Sequence, residues 1–211
     1  MSSKTEKLLS LLDGQPVIPV LKIEEVAHAV PLARALAKGG LRAIEITLRT
    51  KAALEAIRRV IGEVEDAIVG AGTILDARQF EEAAQAGSKF IVSPGVTREL
   101  LAAAGDSPAP LLPGAITPGE IMMAREAGLD FLKFFPAEQA GGAAFLKALA
   151  SPFAGIRFCP TGGISAANAR DYLGLPNVIC VGGSWIAPDA MVKAGDWTGI
   201  ENLAREAAGM K

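Results

Sequence analysis

Eight short apolar runs recur along the chain at intervals of roughly twenty to twenty-six residues, each separated from the next by an alanine-rich stretch of helical spacing. The runs are PVIPV (16–20), AIEIT (43–47), AIVGAG (67–72), KFIVSPG (89–95), PLLPG (110–114), DFLKFFP (130–136), IRFCPTGG (156–163) and NVICVGG (177–183). Segments such as KAALEAIRRVIGEV, DARQFEEAAQAG, TPGEIMMAREAG and SAANARDYLG lie between them, several ended by the glycine that closes a helix. Strict alternation of strand and helix points to an α/β fold with a parallel sheet. An open doubly wound sheet is the competing arrangement, but eight evenly repeated units in 211 residues match the compact (β/α)8 TIM barrel. The expectation is therefore one domain over residues 1–211. An extra N-terminal helix, ending near Asp13, would close the bottom of the barrel, and the segment from Asp196 onward would form the last outer helix.

In a barrel of this kind the βα loops at the carboxyl ends of the strands build the site. Polar residues and glycines gather there. Side chains alternate along a strand, so Glu45, Thr47 and Arg49 share one face of the second run and Ile44, Ile46 and Leu48 the other. A carboxylate, a hydroxyl and a guanidinium facing inward need partners or a ligand, because an unpaired buried charge is expensive. A purely structural ion pair would also satisfy them.

The sixth run carries Phe131, Lys133 and Phe135 on one face and Leu132, Phe134 and Pro136 on the other. A lysine held by this parity among bulky apolar groups has two outcomes. It snorkels to solvent, or it sheds its proton and becomes the neutral amine that attacks a ketone. The second outcome predicts a Schiff base on Lys133. The seventh and eighth runs end in PTGGIS and VGGSW, which suit an anion held by glycine amides and the Ser184 hydroxyl. The two loops are those of the recurrent phosphate site in such barrels.

Composition narrows the partners. A formal net charge of -2 and no basic cluster give no footprint for nucleic acid or for an anionic membrane. The brief apolar run near the N-terminus is broken by Asp13 and resembles neither a signal peptide nor a span, so the chain reads as cytoplasmic. His28 is the lone histidine and sits in a helical pattern, which removes histidine-based triads and multi-histidine metal sites. Cys159 and Cys180 each lie in an apolar run and read as buried, reduced thiols.

Taken together, EITLRT (45–50), VGAGT (69–73), SPG (93–95), LLPG (111–114), KFFPAE (133–138), RFCPTGGIS (157–165) and VGGSW (181–185) resemble, nearly end to end, the bacterial 2-keto-3-deoxy-6-phosphogluconate aldolase family, which also cleaves 4-hydroxy-2-oxoglutarate. The resemblance implies a class I aldolase of the Entner–Doudoroff route that needs no metal or other cofactor and assembles as a homotrimer. It implies Lys133 as the Schiff-base lysine and Glu45 as the general acid and base. Arg49 and Thr73 would hold the pyruvate carboxylate, Pro94, Phe135 and Thr161 would shape the pocket, and Gly162, Gly163, Gly183 and Ser184 would bind the phosphate. The chain departs from the pattern at AITPGE, where Gly119 stands near an expected serine. Two rivals share the outline: a phosphate-binding isomerase or epimerase, which lacks its second acid here, and an inert sugar-phosphate binder, which has no need of a desolvated lysine.

Overall fold

The computed structural model describes residues 3–210, so expectations that touch Met1, Ser2 and Lys211 lie outside the described residues. The eight strands form in the expected order: β1 (Val17–Leu21), β2 (Ala43–Thr47), β3 (Ile68–Gly72), β4 (Phe90–Val92), β5 (Leu111–Leu112), β6 (Phe131–Phe134), β7 (Arg157–Pro160) and β8 (Val181–Gly183). Between and around them run α1 (Ser3–Leu11), α2 (Val26–Lys38), α3 (Ala53–Glu63), α4 (Ala77–Gln85) and α5 (Arg98–Asp106). The second half adds α6 (Pro118–Glu126), α7 (Gly142–Leu149), α8 (Ala169–Leu173), α9 (Asp189–Ala194) and α10 (Trp197–Ala208). Local signals set several boundaries. Asp76 caps α4 by accepting from the Gln79 amide at 2.7 Å, and Thr117 with Glu120 closes a capping box on α6, whose first residue is Pro118. Gly119 is the second residue of that helix.

The pairing of the strands corrects the closed eight-stranded TIM barrel. All the recorded pairs are parallel, but they form a six-stranded sheet in the order β5-β4-β3-β2-β1-β8 and a separate two-stranded sheet of β6 and β7. Among the described residues the strand pairing between the sheets is limited to isolated bridges, Gly114 with Lys133 on one side and Phe158 with Val178 and Thr161 with Gly182 on the other. Proline gives a physical reason at both seams. β5 is confined to two residues between Pro110 and Pro113, and Pro160 ends β7, so neither Pro113 nor Pro160 has an N–H to extend a ladder.

Two hydrophobic clusters follow from strand parity. Ile44, Ile46, Leu132 and Phe134 join the larger one, with apolar faces such as Val30, Leu32 and Leu36 of α2. Side chains of opposite parity, including Ile18, Phe90, Phe131 and Cys159, pack into a smaller cluster together with Leu8 and Leu12. Leu8 lies in α1, and both residues come from the segment expected to cover the amino ends of the strands. Cys159 and Cys180 are buried free thiols, and His28 sits half-buried on α2 with its ring 5.9 Å from that of Trp197. No helix among the described residues is long and apolar enough to cross a membrane.

Candidate active site

Parity delivers the two central groups to each other. Glu45 in the middle of β2 and Lys133 on β6 are 3% and 5% exposed, and the lysine Nζ stands 3.2 Å from the Glu45 Oε1. The residues are 88 apart in sequence and belong to different sheets. Such a pair is weak evidence of a stabilising role, since taking each ion out of water costs several kcal/mol and apolar replacements of similar volume often do as well. What the arrangement can do chemically is move a proton: the carboxylate lies where it can take one from the amine and return it to a neighbouring atom. The Phe135 ring centroid is 5.4 Å from Nζ, close enough to favour a cation there.

Thr47 fixes the next step of the inward face. Its hydroxyl donates to the Leu21 carbonyl at 2.8 Å and accepts from the Arg49 Nε at 2.9 Å. Thr73, immediately after β3, has φ +59°, which makes it the one non-glycine residue with positive φ among the described residues. A β-branched side chain in that region is strained, and such strain concentrates at functional sites. Pro94 follows β4, and the backbone of Gly114 comes so near that a Cβ there would lie 2.1 Å from the Pro94 carbonyl oxygen.

The glycine loops also lie at the carboxyl ends. Gly162 and Gly163 have φ of +101° and +73°, conformations that glycine adopts without penalty. Their carbonyls are held by the Glu138 amide at 3.1 Å and by the Asn168 side-chain amide at 3.1 Å. Tyr172 of α8 donates to the Glu138 carboxylate beside this loop, and burial together with that bond pushes its hydroxyl above the usual tyrosine range. Thr161 is 7% exposed at the end of β7 and bridges to Gly182, next to Gly183. Ser184 is exposed and lines a cavity of about 400 Å³ with Val20, Lys22, Arg49 and Asp189. The roles expected for Arg49 and Thr73 set them side by side, whereas the recorded contact of Arg49 is with Thr47 and its cavity is shared with Ser184.

Two residues escaped the sequence reading. Lys22 is the cation just past β1, detectable as a charge at the end of VIPVL. Gly72 is the other, and its importance lies in what it lacks: a Cβ would fall 2.0 Å from the Glu45 Oε1. The bare backbone makes the seat of the carboxylate. Gly72→Ala is expected to displace Glu45 and to destabilise the protein by about 1–3 kcal/mol, as overpacking does, lowering the melting temperature by several degrees. Calorimetry checks it, and an unchanged melting temperature would show that Glu45 moves aside freely.

The family model described as "Aldolase: KDPG and KHG aldolase" matches residues 8–203. The chain is 52% identical over 198 residues to a KHG/KDPG aldolase of Escherichia coli K12, covering 94% of this chain and 93% of that protein. Among solved structures it is similar to the 2-keto-3-deoxy-6-phosphogluconate aldolase of Zymomonas mobilis ZM4 with 3-phosphoglycerate, with TM-score 0.93, 46% identity, and coverage of 98% of this chain and 97% of that one. It is also similar to a KDPG aldolase from Legionella pneumophila holding pyruvate as a covalent carbinolamine, with TM-score 0.91, 45% identity, and coverage of 93% and 95%.

Proposed function

Since the chain belongs to the KDPG and KHG aldolase family, we propose that Lys133 is its imine-forming amine and Glu45 its proton carrier. The enzyme is a carbon–carbon lyase that cleaves 2-keto-3-deoxy-6-phosphogluconate to pyruvate and glyceraldehyde 3-phosphate, and 4-hydroxy-2-oxoglutarate to pyruvate and glyoxylate. The observation that carries the residue assignment is the buried 3.2 Å contact between the amine and the carboxylate.

Glu45 takes the proton that Lys133 must lose, and the neutral amine attacks the C2 ketone. Returning that proton to the carbinolamine hydroxyl expels water and leaves a protonated imine, which is an electron sink. Glu45, a carboxylate again, accepts the C4 hydroxyl proton, directly or through a water. The C3–C4 bond breaks, its electron pair moves into the imine, and the aldehyde leaves. Protonation of the enamine at C3 and hydrolysis of the imine release pyruvate and restore the amine. General acid–base help of this kind contributes about 10²- to 10⁴-fold.

Arg49 and Thr73 hold the pyruvate carboxylate in this reading, the guanidinium supplying charge and the strained turn at Thr73 supplying a fixed donor. Pro94, Phe135 and Thr161 line the path of the substrate chain, and Gly162, Gly163, Gly183 and Ser184 bind the phosphate. We extend the reading to one catalytic domain over residues 1–211, a cytoplasmic setting, which suits a charged phosphorylated substrate, and the Entner–Doudoroff route. A homotrimer belongs to the same proposal, with exposed Leu75 and Met122 as apolar surface for a neighbouring copy to cover.

The test is to incubate the protein with pyruvate, reduce with borohydride and locate the adduct by mass spectrometry. A reduced pyruvyl adduct on Lys133 is expected. A folded protein that forms none would remove the imine and leave the phosphate-binding isomerase or epimerase and the inert sugar-phosphate binder as the surviving alternatives.

A further inference from the structure

The outer end of the site holds a cation with no part in the mechanism above. β8, β1 and β2 are neighbours in the six-stranded sheet, and their registers pair Gly183 with Pro19 and Val20 with Glu45. Ser184, Lys22 and Arg49 therefore lie within two residues of three adjacent strand ends. Ile18 and Val20 share a parity on β1 that Lys22 continues one residue past its end, and Ile18 lies in the inner cluster. Lys22 is thereby carried to the same side as Glu45. The cavity these residues line, about 400 Å³, falls within the range of small-ligand sites. Among the three charged lining groups just described, Lys22 and Arg49 outweigh Asp189 by one positive charge.

The Lys22 ammonium rests against the Glu24 carboxylate, with the two side chains 42% and 56% exposed. That hydrogen bond, with the accompanying charge, holds the Glu24 carboxyl below the usual carboxylate range. Exposed pairs of this kind contribute little net free energy, so the lysine can change partners readily. A phosphate monoester offers it more charge and three acceptor oxygens.

We propose that Lys22 is a specificity-determining residue: it exchanges Glu24 for the phosphate of the substrate when that group enters the cavity beside Ser184 and Arg49. The inference rests on the aldolase reading and adds to the neutral glycine and serine donors a cation that moves. Selectivity for the phosphorylated substrate then depends on a side chain outside the reacting centre, as remote binding interactions commonly do.

The experiment compares kcat/KM for 2-keto-3-deoxy-6-phosphogluconate with that for 2-keto-3-deoxygluconate, which lacks the phosphate. In Lys22→Gln the ratio of the two is expected to fall about tenfold, the lower end of what a charge-assisted bond supplies. Lys22→Arg should keep most of the ratio, and Glu24→Gln, which removes the competing carboxylate, should raise it. An unchanged ratio in Lys22→Gln would overturn the proposal. Calorimetric binding of inorganic phosphate to wild type and Lys22→Gln reads the same contact without turnover. Equal affinities there would sink the inference even if the aldolase reading holds. Absence of the pyruvyl adduct would sink the aldolase reading even if the phosphate affinities differ.

Discussion

Lys133→Ala is expected to abolish aldol cleavage, with a loss on the order of 10⁵-fold or more, the scale seen when a covalent nucleophile is removed. Alanine leaves no amine to form the imine, and nothing else in the mechanism can draw electrons from C3. The variant also leaves Glu45 buried without its partner, a situation that destabilises by about 3–5 kcal/mol and would lower the melting temperature by roughly 6–20 °C. Activity and folding must therefore be read together. The double variant Lys133→Ala with Glu45→Gln removes the unpaired charge, so it should recover part of the melting temperature and none of the cleavage. Circular dichroism with a coupled assay for pyruvate separates the two effects, and a folded Lys133→Ala protein that still cleaves substrate would refute the imine role.

The second large effect falls on Glu45→Gln, which keeps the size of the side chain and deletes its basicity. Each proton step should slow, with kcat down by about 10²- to 10⁴-fold. A partial reaction isolates the step. Pyruvate alone should exchange its methyl protons with deuterated water, because the imine and enamine interconvert through C3. NMR should find that exchange fast in the wild type, slowed by a similar factor in Glu45→Gln and absent in Lys133→Ala. Near-normal exchange and turnover in Glu45→Gln would assign the base to another group.

Much of the candidate site's geometry was legible because alternation along a strand is rigid. Once AIEIT and DFLKFFP read as strands, Glu45 and Lys133 could face only one way, and the structure sets them in contact. Chain order was legible for the same reason, since each apolar run stands between helical spacers. The pairing of strands was not. A periodic pattern says where strands occur but not which N–H groups exist at their meeting lines, and Pro113 and Pro160 interrupt the ladders that even repetition suggested. The surroundings of Arg49 were likewise hidden. A long flexible side chain at a strand end is placed by its neighbours, here Thr47 and the cavity shared with Lys22 and Ser184. Nor does any residue type announce the left-handed backbone at Thr73, which glycine would ordinarily mark.

The seam has a consequence for anyone redesigning this catalyst. Amine and carboxylate are mounted on separate sheets that touch beside Lys133 through the Lys133 amide on the Pro113 carbonyl and the Ala115 amide on the Lys133 carbonyl, each at 2.8 Å. Their spacing is thus an alignment between two parts, as in an instrument whose emitter and detector sit on different arms. Sequence changes at 113–115 are expected to shift that alignment, and with it the Lys133–Glu45 spacing, without altering either side chain's identity.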